Sequence, residues 1–382
     1  MTRDPVDLLE EPLLTRLGDR LVEEARAVAG VPAALYVVDL DGRFLCRVAG
    51  DDGLPDELRT AQLVGPEMSV AQARALEQEI RSSGQAAAIV PLWLRGRALG
   101  VLAFAEPPSG DLRLLATHGA AALELAERYT DVFAQARRRV ECSAAAELQQ
   151  LLMPPRIARF EGAEVAGSIL PAYDIGGDWI DHCAMPGGGW LGVADAVGKG
   201  PQASALGALA LGAYRAARRG SCTLADGAVH IHNAIAAVEI EEVFISAVLA
   251  IWEADTSTLT WLRCGHPPPM IWHRDRGLVA LEGGDGPVLG LSRLDPPREP
   301  GRATIAQDEL VVLVTDGILE RTATGAEPFG DAGLARALNM LEEPSPTAAV
   351  ATVIEAVRDL DDAGPLRDDA SILVLAPDGG QR

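Results

Sequence analysis

WLGVADAVGKGPQASAL, residues 190–206, is the stretch on which the reading of this 382-residue chain turns. An apolar run ends on Asp195, the glycine loop Val197-Gly198-Lys199-Gly200 follows, and a helical pattern then begins. The arrangement recurs at 310–317, LVVLVTDG, where Asp316 closes a second apolar strand and Gly317 follows. Asp178 sits in a third glycine-flanked context, IGGDWID at 175–181, and Asp368 and Asp369 stand directly before the strand ASILVL. Carboxylates at strand ends, beside glycines that admit close backbone approach, suit a hard divalent cation that takes oxygen ligands and keeps several waters. Two such ions a few ångströms apart can bind a phosphoryl group and generate a hydroxide near neutral pH. Any one of these residues alone reads as a solvated turn carboxylate, because Asp-Gly is common in turns. Four at the mouths of apolar strands favour a shared site.

Working outward, the strands expected around these positions are EVAGSIL, GWLGVADAV, FISAVLAIWE, TLTWLRC, PMIWHR, LVALE, ELVVLVTD and SILVLAP. Helices are expected over 201–219, 224–238, 331–341 and 347–360. The strands cluster with hairpin-length gaps, such as Asp255–Thr258, which favours mainly antiparallel sheets with helices outside over a doubly wound parallel sheet.

The first 125 residues form a different unit. Residues 13–29 place Leu14, Leu17, Leu21, Ala25 and Val28 on one helical face. AALYVVDLDGRFLCRVA reads as two strands about an Asp41-Gly42 turn, and AAAIVPLW and ALGVLAFAE as two more. A helix starting near Leu112 closes the unit. The 34 residues from Ala120 to Met153 contain neither Gly nor Pro and, if fully helical, span roughly 50 Å. Tyr129, Phe133, Ala136, Val140, Ala144, Leu148 and Leu151 give a heptad-like seam with a stutter, and Pro154-Pro155 stops it. The seam admits two readings, a coupling helix that dimerises or a helix packed on its own chain.

Charge bounds the function classes. With 33 Lys+Arg against 55 Asp+Glu, the net charge of −22 disfavours a general nucleic-acid or membrane-surface role. Residues 146–382 carry −16 of it. Lys199 is the single lysine. A hydrophobic content of 48% excludes global disorder, and the length suggests two domains. The acidic start, broken by Pro5, lacks a secretory pattern, and no long uncharged apolar run appears, so a cytoplasmic protein is expected. Five scattered cysteines without a CxxC pair read as reduced thiols.

Eight stretches, in order across most of residues 147–375, carry a resemblance: ELQQLLMPP, GGDWID, VADAVGKGPQASAL, FISAVLAIWE, CGHPPPMIW, DGPVLGL, LVTDGILERTATGAEPFG and RDDASILVL. Together they resemble the metal-dependent protein phosphatases of the SpoIIE/RsbU type, bacterial serine/threonine phosphatases related to the PPM (type 2C) fold. The resemblance implies an α+β fold: a PPM-type αββα sandwich of mainly antiparallel sheets flanked by helices, over residues 154–377. It implies a two-metal centre of Mn²⁺ or Mg²⁺, with Asp178 and Asp195 as catalytic ligands and the backbone carbonyl of Ala196 as another. Asp316 and Asp368 would complete the second ion. Asp369 stands where relatives carry Asp or Asn, and either supports the ligands or is one of them. The implied reaction is attack of a metal-activated hydroxide on phosphoserine or phosphothreonine, in line with the leaving oxygen. The implied partner is a phosphorylated anti-sigma-factor antagonist of the STAS type, in a partner-switching pathway. Two departures stand out: Ser246 where the family usually has Thr, and Cys264 where it usually has Ala. Both concern packing rather than ligands, so an active enzyme is expected. The alternative is a catalytically inactive PPM-fold binding module. A histidine kinase is disfavoured for want of a phosphoacceptor helix pair and ATP-lid glycines.

Residues 10–125 resemble the GAF sensory domains, an α/β fold, through AALYVVDLDG, VPLWLRGRALGVLAF and LRLLATHGAAALELAERY, with a PAS domain as runner-up. A small-molecule ligand or a ligand-free dimerisation module are the two readings. Residues 126–153 would then be the linker helix and the route to a homodimer. Other signals are weaker. Asp39-Leu-Asp41-Gly looks like an aspartyl-nucleophile motif but lacks the strand order behind it. His230 and His232 point to different sides of a helix. His266 fits a corner as well as a site. Lys199 lacks phosphate-loop spacing, though it lies where it could draw in phosphate.

Overall fold

The protein, seen here as a computed structural model, is described over residues 8–50, 53–170, 176–220, 222–238, 240, 242–323, 327–360 and 369–378. It divides into two units, Met1–Glu141 and Cys142–Arg382.

The first unit is built on one antiparallel sheet. Strands β1 (Ala33–Val38), β2 (Phe44–Gly50), β3 (Glu57–Arg59), β4 (Ala88–Leu94) and β5 (Arg97–Phe104) lie in the order β3-β2-β1-β5-β4. Every residue of β1 is buried, because both faces are covered. Ala33, Leu35 and Val37 share a core with α1 (Leu17–Ala29) and α3 (Arg113–Ala126). Ala34, Tyr36 and Val38 share the opposite core with Leu76 and Ile80 of α2 (Val70–Ser83). The period of two in the strand thus sorts its side chains between two layers. In the β1–β2 turn, the N–H groups of Arg43 and Phe44 donate to Asp39 Oδ1 at 2.8 and 3.0 Å, and Gly42 takes φ +69°. Asp39 is therefore a turn-forming residue, as the hairpin reading expects.

The continuous helix expected over 120–153 is not found. α3 ends at Ala126, a short α4 covers Val132–Ala136, and α5 begins at Ala144 and runs to Leu152. Local side-chain hydrogen bonds supply the breaks. Thr130 Oγ1 accepts from the N–H of Val132, and Ser143 caps α5 by accepting from the N–H of Ala146 at 3.1 Å. The proposed seam is likewise divided, since Phe133 is buried while Tyr129 and Leu151 are about four-fifths exposed. The segment after α4 folds back on its own unit, where Arg137 donates to the Val38 carbonyl and to Glu127 and Arg139 pairs with Glu57. The single linker helix expected over 126–153 is corrected accordingly, and the homodimer expectation loses the continuous seam on which it was argued.

The second unit is a four-layer sandwich. One sheet runs β14 (Asp285–Gly286), β11 (Thr258–Cys264), β10 (Ile245–Glu253), β9 (Gly188–Ala196), β8 (Trp179–Met185), with β15 (Gly301–Thr304) also on β11. The other runs β13 (Gly277–Ala280), β12 (Met270–His273), β16 (Glu309–Val314), β17 (Ala370–Pro377), β7 (Ala163–Leu170), β6 (Ile157–Phe160). Pairings are antiparallel except β11 with β14. Between the sheets lie Ile180, Leu191, Val193, Val248, Trp252, Trp261, Val311, Leu313, Leu373 and Leu375. Helices α6 (Gly200–Arg219) and α7 (Leu224–Ala236) cover the outer face of the first sheet through Ala203, Ala210, Tyr214, Ile231 and Ile235. Helix α10 (Pro346–Arg358) covers the second sheet against β7 and β17, and α9 (Gly330–Asn339) packs beside it. The short α8 (Asp316–Leu319) follows β16. This is the αββα arrangement that the motifs imply.

Candidate metal centre

The acidic positions converge because their strands end together. Asp178 directly precedes β8, Asp195 lies at the end of β9, Asp316 follows β16 and Asp369 directly precedes β17. β16 and β17 pair through Val314 and Ile372, so Thr315 and Ser371 meet just beyond, where the Thr315 N–H donates to the Ser371 carbonyl. Both hydroxyls turn inward. Thr315 Oγ1 and Ser371 Oγ donate to Asp178 Oδ2 at 2.8 and 2.5 Å. The Asp178 N–H donates to Asp369 Oδ2 at 3.2 Å. From α5, Gln149 Nε2 donates both to Asp369 Oδ2 at 2.8 Å and to the Asp178 carbonyl at 3.0 Å.

The electrostatics follow from burial. Asp178 and Asp369 are 4% and 2% exposed, Asp195 is half-buried and Asp316 is exposed. Burial, then the charges of Asp195 and Asp369, hold the Asp178 carboxyl well above the ordinary carboxylate range. Three carboxylates thus bear on one another here. Asp316 stands beside them at the rim: a Cβ on its neighbour Gly317 would lie 1.8 Å from the Asp369 carbonyl oxygen. Ala196 is buried, and Gly177 passes close to its carbonyl oxygen. Asp368 lies outside the described residues. Among the described residues no three Asp, Glu, His or Cys side chains form a ready-made cation cage.

The donor set nevertheless fits a hard cation. Both hydroxyls bind Oδ2 of Asp178, and no donor among the described residues reaches its Oδ1. That is the pattern of an oriented ligand, one oxygen held from behind and the other open. The mutual repulsion of Asp178, Asp195 and Asp369 is what a divalent ion relieves.

Three supporting residues escape a reading for acids: Gln149, Thr315 and Ser371. Thr315 and Ser371 stand next to or near motif acids and reach Asp178 through the pairing of β16 with β17, whereas Gln149 reaches it from α5. Asp181, the second aspartate of GGDWID, is not with the cluster. It is buried and takes Arg215 Nη2 at 2.8 Å and Arg218 Nη1 at 2.7 Å, tying β8 to α6, while Arg215 also donates to the Leu152 carbonyl. His266 is 2% exposed, its Nδ1 lies 2.6 Å from Ser246 Oγ, and burial pushes its imidazole down to about 3. Ser246 pairs with Asp195 across β10 and β9, so this corner backs the site strand. The Ser246 departure therefore keeps a working hydroxyl. Lys199 is exposed at the start of α6, between Gly198 at φ +99° and Gly200 at φ +68°. His232 is buried with Nδ1 accepting from the Gly290 N–H, and does not form a site with His230.

Comparisons with known proteins fit this architecture. The RsbU and RsbW domains of a Mycobacterium tuberculosis protein superpose with a TM-score of 0.50 at 19% identity, covering 58% of this chain and 62% of that one. The SiaA PP2C domain of Pseudomonas aeruginosa gives 0.51 at 19% identity, covering 61% and 94%. The PP2C phosphatase domain of SpoIIE from Bacillus subtilis, with a fragment of its regulatory domain, gives 0.50 at 16% identity, covering 58% and 64%. The match thus spans less than two thirds of the first and third of these chains. No curated protein sequence matches. The family model of stage II sporulation protein E matches residues 186–378, from the β8–β9 turn through β17, half of the chain and three of the four strand ends that carry the acids. By that match the chain belongs to the SpoIIE family.

Proposed function

We propose that Cys142–Arg382 is a metal-dependent protein serine/threonine phosphatase whose ligands are Asp178, Asp195, the Ala196 carbonyl, Asp316 and Asp368, with Asp369 beside them. The observation that carries this reading is the meeting of Asp178, Asp195 and Asp369, with Asp178 Oδ2 held by two hydroxyls. When bound, two Mn²⁺ or Mg²⁺ ions supply charge neutralisation for a phosphoryl group and activation of water. The chain's own contribution is orientation. Thr315 and Ser371 fix the rotamer of Asp178, Gln149 fixes Asp369, and the Ser246–His266 pair supports the strand that carries Asp195. The interior behind them, with Ile180, Leu191, Val193 and Leu373, keeps water away from the back of the site.

The substrate we infer is a phosphorylated STAS-type anti-sigma-factor antagonist in a partner-switching pathway, with Met1–Glu141 as a GAF-like sensory unit that takes a small molecule. Support comes from the family and from the RsbU and RsbW domains named above, together with the sheet covered on both faces in the first unit. No helix among the described residues is long and apolar enough to cross a membrane. The test is turnover of p-nitrophenyl phosphate and of a phosphorylated STAS protein with Mn²⁺. Asp178→Asn and Asp316→Asn should each abolish both. Rates unchanged in both variants overturn the assignment, and a folded, partner-binding chain without turnover supports a binding module instead.

A further inference from the structure

At the far end of β10 from the acid cluster, the outer sheet face is not fully covered by α7. A cavity of about 510 Å³ opens there. Its floor is apolar, from Leu224, Ile251 and Leu262, and Ile251 keeps part of its surface open. Its rim carries Arg298 and Arg302, both exposed. Neither guanidinium makes an ion pair or hydrogen bond among the described residues. The lining thus carries two arginines against one carboxylate, in a region that carries −16 from residue 146 onward. Glu253 is the carboxylate on the lip. Asp226, whose charge Arg298 also feels, is engaged by the Thr223 cap.

We propose that this groove docks an acidic peptide segment with an apolar anchor, carried by the protein whose phosphate the acid cluster removes. The anchor fills the floor and flanking carboxylates meet Arg298 and Arg302. The groove and the cluster are joined by one strand. Ile251 and Glu253 lie five and seven residues along β10 from Ser246, the partner of Asp195, which is roughly 17–24 Å. An extended substrate needs at least about six residues between its phosphoserine and the acidic anchor to occupy both. Docking of this kind raises the effective concentration of the phosphoserine at the cluster, so it lowers KM and leaves kcat alone. The docking claim stands on the groove, and its kinetic consequence rests on the phosphatase reading above.

The full chain, as wild type and as Asp178→Asn, would be titrated with a fluorescein-labelled peptide in which glutamates flank a leucine, followed by anisotropy. Both should bind, more weakly as salt rises. The Arg298→Glu, Arg302→Glu double variant should bind at least about tenfold more weakly, with its melting temperature recorded alongside. Alkylation of Cys222, which lines the groove, should slow when the peptide is bound. In the kinetic arm, a phosphoserine peptide bearing the distal acidic segment should show a lower KM than one without it. The double variant should erase that difference while turnover of p-nitrophenyl phosphate is unchanged. Absent binding, equal binding by the double variant, or equal binding of a peptide with glutamine in place of glutamate overturns the docking site. A wild-type chain that binds the peptide but turns over no phosphate leaves the groove in place and sinks the phosphatase reading.

Discussion

Asp181 shows how far a residue's role depends on its neighbours. It stands three positions from Asp178 in one motif, yet the two differ completely in partners. Asp178 receives hydroxyls and faces other carboxylates, whereas Asp181 receives Arg215 and Arg218. Removing one member of a buried ion network leaves the others uncompensated. Asp181→Ala should therefore cost about 3–5 kcal/mol, read by urea denaturation. A loss below about 1 kcal/mol would show that Arg215 and Arg218 find water or carbonyls instead. His266 makes a second prediction. The fold keeps it neutral, its affinity for a proton lowered from 6.5 to about 3. Below the unfolded value of 6.5 the unfolded chain binds the extra proton, so this contribution to stability is present above pH 6.5 and lost as pH falls toward 3. The slope is up to ~1.4 kcal/mol per pH unit. His266→Gln should flatten the acid limb of the stability curve by about one proton, and an unchanged limb would remove His266 as its cause. Burial of His182 acts in the same direction and remains in both proteins.

Among the elements, β16, α8 and β17 form the tightest part of the site. A Cβ at Gly317 would fall 1.8 Å from the carbonyl oxygen of Asp369, a distance no packing adjustment absorbs. Gly317→Ala must move either α8, with Asp316, or the start of β17, with Asp369. Activity should fall on the order of 10²-fold, as expected for ångström-scale misplacement. Metal affinity measured by calorimetry should fall with it. Near-normal activity would mean that the strand ends tolerate the shift. The linking segment gives the opposite lesson. Helix propensity from Ala120 to Met153 is unbroken by Gly or Pro, but Thr130 and Ser143 offer the backbone local hydrogen bonds. Arg137 and Arg139 then hold the intervening turn against β1 and β3. A periodic pattern reports which residues can share a face, and not whether the chain stays helical between them.

For the whole molecule, the acidity becomes a statement about stability. Carboxylates that repel one another in the folded unit favour any cation that binds only there. Mn²⁺ at about a hundred times its Kd should stabilise Cys142–Arg382 by about 2.7 kcal/mol. Calorimetry should show that unit's transition move up, return with EDTA, and stay put in Asp178→Asn. The sequence by itself determined the two-unit order, most antiparallel strands of the second unit though not β6 or β8, and the candidate acids Asp178, Asp195, Asp316 and Asp369, because apolar alternation and strand-end glycines are local properties of the chain. Hydrogen bonding at Thr130 and Ser143, the partners of Asp181, the hydroxyls of Thr315 and Ser371 on Asp178, and the arginine-rimmed groove were decided only by tertiary structure. Each joins residues far apart in the chain or sets a local preference against packing. Which side chains meet across paired strands depends on register, and register is a property of the assembled sheet.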